Sequence, residues 1–286
     1  MNKLVKIQHA MSSFGAKEVS HGQIRFERLE TRIVPNIPFP HKHSFYQFLL
    51  ITQGKGTHTI DFKGHAVKPR MLFLMKPGQM HTWKLNNSSK GILLEFNRES
   101  ISFFRESNII NLLDNTLDAT FLDPDIFARL KSLLEDGINE YEEQHQFQEQ
   151  TLQAYLMIIL GKILQIKDVA AANSKHSSIS REFSILLEEN FRTHHEVDFY
   201  ASRLHMSAKN LSMQITRSLG KPPRLLIQER LHLEAKRLLA YTDLPVGAIG
   251  DHLGFEDQNY FARFFKKLES KTPKESRIEL KKLLSS

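Results

Sequence analysis

Cysteine is absent from all 286 residues, which excludes disulfides and any thiolate-held zinc. Tryptophan occurs once, at Trp83, where it can line a pocket or simply fill a core. Long apolar runs are also missing. The most apolar stretch, AYLMIILGKIL (Ala154–Leu164), is interrupted by Lys162 and falls short of the ~20 residues that span a bilayer. The opening MNKLVKIQHAMSSFG holds no continuous apolar segment of a secretion signal. These absences predict a cytoplasmic protein without a membrane partner.

Hydrophobic residues make up 41% and charged residues 25% of the chain, the profile of a globular protein. Its length suits two domains, each able to bury a core. The net charge of +7 is unevenly spread: residues 173–286 carry 19 Lys and Arg against 14 Asp and Glu, and the first 172 carry 20 against 18. The shorter C-terminal part holds most of the excess, which permits an anionic partner without requiring one.

From about residue 24 to 97, short apolar runs separated by Gly, Pro and Asn predict an antiparallel barrel or sandwich. Ile126, Leu130, Leu133, Leu134 and Ile138, then Leu152, Leu156, Ile159, Leu160 and Ile163, follow helical spacing and predict two helices over about 124–166. The polar segment 168–180 reads as a linker. The rest, 181–286, reads as six or seven short helices. The expected fold is thus α+β in two domains, 1–167 and 181–286.

An internal repeat lies in the second domain. SAKNLSMQITRSLGKPP (Ser207–Pro223) aligns without gaps on DQNYFARFFKKLESKTP (Asp257–Pro273), 50 residues on. Ser207 and Asp257 suit helix N-caps. Leu211 and Ile215 match Phe261 and Phe265, an apolar i, i+4 pair in each copy. Phe264 and Leu268 extend the second stripe, and the core is expected along it. A short helical segment and a tight turn precede each copy, giving two helix-turn-helix units. Between them Pro222–Thr242 reads as one longer helix with Ile227, Leu231, Ala235 and Leu238 inward. Such a helix can hold two recognition helices about one DNA turn, near 34 Å, apart.

AIGDHLGFEDQNYFARFFKKLESKTPKESR, with RLHMSAKNLS and QERLHLEAKRLL upstream, resembles the C-terminal signature of the AraC/XylS family of transcription regulators. The resemblance covers roughly 178–280. It departs from the family pattern at Gly250, where Ala is usual, at Ser270, where Gly is usual, and at Ser276, where Tyr is common. It implies double-stranded DNA as partner, with specific reading concentrated on the first recognition helix. Candidates there are Ser207, Ala208, Lys209, Asn210, Ser212, Met213, Gln214 and Arg217. On the second they are Asp257, Gln258, Asn259, Tyr260, Arg263, Lys266 and Lys267. Asn and Gln can pair bidentately with adenine, Lys and Arg can reach guanine or phosphate, and each of these residues can equally be a solvated helix position.

FPHKHSFYQFLLITQGKGTHTI and LFLMKPGQMHTW resemble the two motifs of a cupin barrel such as AraC-type sensors carry. The resemblance implies a small-molecule effector in the barrel and a homodimer through the helices at about 124–166; these could otherwise merely cap the barrel, but Leu152, Leu156, Ile159 and Ile163 offer more apolar surface than one cap needs. Strand parity and motif position give His41, His43, Phe45, Gln47, His58, His81, Trp83 and Glu95 as pocket candidates. Parity puts His58, Ile60 and Phe62 on one face and His81 with Trp83 on another. Glu95 could instead pair with a surface lysine. Metal cupins use His-x-His, a Glu and a further His. His41, His43 and His81 are present and could hold zinc with a water in an open fourth site, but Gln47 stands near the carboxylate position, which disfavours iron or manganese, and no metal or other cofactor is expected.

The resemblance implies an effector-responsive activator of transcription that is not an enzyme and has RNA polymerase as a further partner. Two alternatives stay open: a constitutive DNA-binding regulator whose barrel is a dimerisation scaffold, and a metal-dependent cupin enzyme with an appended helical domain.

Overall fold

The computed structural model describes residues 23–31, 40–101, 109–114, 116–143, 145–166 and 178–285. The chain divides into two compact units, Met1–Ser174 and Lys175–Ser286. Most of the segment expected as a linker, up to residue 177, lies outside the described residues. Its last part is no linker: Ser178–Ser180 open a helix, and Ser180 is buried and hydrogen-bonded to Ser218.

The first unit contains eight described strands: β1 (Ile24–Arg28), β2 (Tyr46–Gln53), β3 (Gly56–Ile60), β4 (Lys63–Val67), β5 (Met71–Met75), β6 (His81–Leu85), β7 (Lys90–Phe96) and β8 (Ala119–Phe121). They form two antiparallel sheets, ordered β1-β7-β2-β5-β8 and β4-β3-β6. The β3–β4 hairpin turns on Asp61 and Phe62, both at positive φ (44° and 72°), the backbone twist that a two-residue hairpin turn needs. Phe62 therefore sits in a turn and not on the strand face that parity gave it.

One face of the larger sheet meets the smaller sheet. Leu49, Ile51, Phe73, Met75 and Leu93 pack there with Ile60, Val67, Trp83 and Leu85. The opposite face, including Phe48, Leu50, Leu72, Leu74 and Leu94, packs against helices. Burial on both faces explains the unbroken apolar run of β2, where a half-exposed strand would alternate.

Three helices follow: α1 (Ile109–Asp114), α2 (Pro124–Glu142) and α3 (Gln148–Leu164). Pro124 opens α2, where its missing N–H costs nothing. At Gly137 α2 approaches β1 so closely that a Cβ would lie 2.4 Å from the Phe26 ring. Leu152, Leu156, Ile159 and Ile163, expected to offer surface to a second subunit, are instead buried in this unit's own core. The large apolar side chains left exposed on and between α2 and α3 are Tyr141, Phe147 and Ile158.

The described residues of the second unit form helices and no strands: α4 (Ser178–Asn190), α5 (Val197–Arg203), α6 (Ala208–Leu219), α7 (Pro223–Tyr241), α8 (Val246–His252), α9 (Gln258–Glu269) and α10 (Pro273–Ser285). The 19 residues of α7 run about 28 Å. Ile227, Leu231, Ala235 and Leu238 form its inner stripe, as the periodicity predicts. Buried among them is Glu234, held by Arg230 (3.0 Å), Arg237 (3.1 Å) and Arg192 (3.3 Å). Burial alone would raise its carboxyl pKa, but the three guanidinium groups hold it down at about 2.

Candidate functional site

The two copies of the repeat fold alike. In each, a short helix ends in a residue at positive φ, His205 (54°) after α5 and Gly254 (78°) after α8. The next residue then donates its N–H back into the short helix: Met206 to Ala201 and Phe255 to Gly250, both at 3.0 Å. The recognition helices start on side-chain caps. Ser207 Oγ accepts from the Asn210 N–H at 3.2 Å, and Asp257 Oδ1 accepts from the Asn259 N–H at 2.8 Å. Both end in a left-handed residue, Gly220 (φ 74°) and Ser270 (φ 62°). The match runs further than the sequence alignment did. Lys221 bonds Glu229 at 2.7 Å, and Lys271 bonds Glu279 at 2.6 Å, again 50 residues on.

The inward stripe of α6 is Leu211, Ile215 and Ser218, and that of α9 is Phe261 and Phe265. Phe264 and Leu268, expected in the core, are only half-buried. Lys209, Asn210, Met213 and Arg217 stand exposed on α6, with Ala208, Ser212 and Gln214 half-buried beside them. Gln214 Nε2 donates to Asn210 Oδ1 at 3.1 Å, which orients the two amides one turn apart. Thr216, which residue type alone did not single out, shares the exposed surface. On α9, Gln258, Asn259, Tyr260, Arg263, Lys266 and Lys267 are exposed. Ser207 and Asp257 are engaged as caps, and Arg263 makes a loose, exposed ion pair with Asp257 at 3.7 Å. Gln258 lies across Gly247, where a Cβ would come within 2.3 Å of its amide.

Gly250 answers to packing: a Cβ there would meet Phe261 at 3.2 Å. Ser276, where an aromatic residue is common in the resembled family, is buried at the start of α10. Just before it Thr272 and Glu275 cap each other, with the Thr272 N–H donating to Glu275 at 2.8 Å.

In the first unit the pocket candidates converge at one end of the barrel. His41 and His81 exchange two backbone hydrogen bonds (3.0 and 2.9 Å), and their rings lie 4.2 Å apart. His43 stacks on Phe45 and sits 5.1 Å from His81. His58 and Trp83 are register partners on β3 and β6, with stacked rings, so His58, Ile60, His81 and Trp83 share one inner face, not two. His58 and His81 also meet through Nε2 and Nδ1 at 3.2 Å. Burial, then the neighbouring His65, His41 and His43, push the His58 pKa well below the usual imidazole value.

Opposite stands a polar row. Glu95 is the register partner of both Arg25 and Gln47, and it binds both side chains. Glu95 is therefore paired inside the barrel and not with a surface lysine. Arg25 escaped the sequence reading. Its signal was parity, as a charged residue between the inward Ile24 and Phe26 of a strand whose other face is also covered. Among the described residues no three His, Asp or Glu side chains are arranged to hold a metal. Gln47, near the position where metal cupins carry a carboxylate, is tied to Glu95. An open groove of about 780 Å³ lies at the other end of the barrel, lined by Lys55, Thr57, Val67, Trp83, Lys84 and Leu85 among others, and shares only Trp83 with the candidates.

Comparison with known proteins bears on both units. Residues 200–278 match the family described as a helix-turn-helix domain, and residues 28–92 match the AraC-like ligand binding domain. The chain is 24% identical over 257 residues to the HTH-type transcriptional activator RhaS of Mannheimia succiniciproducens, covering 87% of this chain and 93% of that protein. It is 20% identical over 258 residues to RhaS of Escherichia coli O157:H7, covering 87% and 91%. Among solved structures, ToxT from Vibrio cholerae is 14% identical, covers 92% of this chain and 99% of that one, and superposes with a TM-score of 0.41.

Proposed function

We propose that the chain is a transcription regulator of the AraC family, since it carries a helix-turn-helix domain and an AraC-like ligand-binding domain, and that its residues divide the work as follows. Residues 181–286 read DNA with both helix-turn-helix copies at once. Residues 1–167 bind a small-molecule effector in the barrel and pair two chains. The regulator activates transcription, as the name of its RhaS relatives suggests; it acts in the cytoplasm, contacts RNA polymerase and performs no catalysis.

The observation that carries this reading is the repetition of turn, cap and exposed helix face in two copies on one central helix. On α6, Asn210 and Gln214 are the base readers, and Lys209 and Arg217 reach base or phosphate. On α9, Asn259 and Tyr260 meet base edges or sugar while Arg263, Lys266 and Lys267 hold phosphate. In the barrel, His41, His43, His81 and the Arg25–Glu95–Gln47 row supply polar contacts, and Phe45, His58 and Trp83 supply flat walls. A ligand with hydroxyl or amide groups and one apolar face suits that set. Pairing of two chains through α2 and α3 uses Tyr141, Phe147 and Ile158, because the other apolar residues of these helices are already covered.

Selection of bound duplexes from a random pool by the full-length protein, at several salt concentrations, tests the DNA reading. The expected product is a motif of two elements about 10 base pairs apart. A single short element would overturn the use of both units. Light scattering at micromolar concentration tests pairing, and a monomer would remove it.

A further inference from the structure

The two helix-turn-helix units touch directly, apart from the helix they share. The loop between α4 and α5 belongs to the first unit: Tyr200 of α5 donates its hydroxyl to the His194 carbonyl at 2.8 Å, and the His194 ring stacks on Phe199. The turn after α8 belongs to the second unit, where Phe255 packs on Phe261 of α9 at 5.2 Å between ring centroids. Loop and turn meet. His195 Nε2 donates to the Leu253 carbonyl at 2.8 Å, and its ring lies 4.9 Å from that of Phe255. Gly254 passes so close to the loop that a Cβ would lie 2.1 Å from the Arg192 carbonyl oxygen. Arg192 itself reaches Glu234 of α7 at 3.3 Å.

The repeat supplies a control for this contact. Gly254 has a counterpart in the first unit, His205, with the same left-handed backbone and the same hydrogen bond closing the turn. There a full imidazole is accommodated on that backbone. The left-handed backbone alone therefore does not demand glycine. What differs at the second turn is the Arg192 carbonyl lying against it.

We infer that the His195–Leu253 hydrogen bond and the Arg192–Gly254 contact form a second bridge between the two units that fixes the spacing and angle between the recognition helices, so that His195 and Gly254 are positioning residues for operator spacing. With α7 as the sole connection, either unit could rock about the helix ends. Two attachment points remove that freedom. The inference rests on the reading that both units engage DNA together.

The absence of cysteine makes a direct test clean. Spin labels go on Thr216→Cys and Lys266→Cys, equivalent exposed positions of α6 and α9, in the full-length chain. Pulsed electron-spin resonance should give one narrow distance distribution. His195→Ala should broaden it, and His195→Gln, whose amide can still donate to Leu253, should narrow it again. Gly254→Ala should shift it, and His195→Ala carries the test if Gly254→Ala does not fold. Unlabelled protein then meets duplexes carrying the selected motif with one base pair inserted between its elements. The insertion should weaken wild-type binding on the order of tenfold and His195→Ala binding less than about threefold. If His195→Ala keeps the narrow distribution and the full insertion penalty, the bridge does not set spacing and the inference is overturned. If the wild type itself ignores the insertion, the two-unit reading fails, and this inference with it.

Discussion

Single residues at two kinds of position carry strain or buried polarity that can be measured. Ser270 ends α9 at φ 62°, while its counterpart Gly220 ends α6 at φ 74°. A left-handed backbone costs an L-residue roughly 1–2 kcal/mol, and glycine escapes that cost but is looser when unfolded. Ser270→Gly should therefore stabilise the second unit by about 0.5–1 kcal/mol, read as a higher denaturant midpoint with an unchanged slope. His58 is a buried imidazole whose pKa is lowered by burial first and by neighbouring histidines second. The unfolded chain takes up a proton there as pH falls below about 6.5, and the folded chain resists it. The stability His58 contributes is thus complete above that pH and declines below it, by roughly 1.4 kcal/mol per pH unit until its folded pKa is reached. His65, lowered mainly by burial, adds in the same direction. Trp83, the one tryptophan, stacks on His58 and so reports this unit alone. Denaturation followed by its fluorescence at pH 7.5 and 5.5 should show the loss, and His58→Phe should reduce it.

At the scale of elements, the recognition helices separate two kinds of contact. Asn210→Ala or Gln214→Ala should relax base preference with a modest loss of affinity, since each amide steadies the other at 3.1 Å. Lys267→Ala should weaken binding to every sequence and lower the salt slope by about one unit. Competition binding across salt and across motif variants distinguishes them. A Lys267→Ala effect confined to one base would reverse the assignment. Most of these elements were legible beforehand, because Leu211 with Ile215 and Phe261 with Phe265 impose helical spacing and the flanking prolines and caps mark the ends. What was hidden depends on contacts distant in sequence. Leu152, Leu156, Ile159 and Ile163 read as surplus apolar surface because nothing local says that the back of a sheet needs covering. Phe62 read as strand because turn geometry outranks alternation. Arg25, Glu95 and Gln47 converge only once strand register is known.

For the whole molecule, the sensor reading and the scaffold reading part on one observable. A true effector at about 100 times its dissociation constant adds roughly 2.7 kcal/mol to the state that binds it. A thermal-shift screen of small metabolites, read at Trp83, should find a ligand that moves the melting of the first unit, and Gln47→Leu should abolish that shift. Silence across a broad library would favour a barrel that serves only as scaffold. The two helix-turn-helix copies differ in complementary ways. One keeps glycine at the end of its recognition helix and histidine in its turn; the other keeps glycine in its turn and serine at the helix end. Each copy therefore holds one left-handed residue that is not glycine, and each bears the strain of it. An experimenter evolving new operator preferences can start from Ser270→Gly. The added margin above the unfolding threshold should let α9 tolerate a wider set of destabilising substitutions than the natural sequence does.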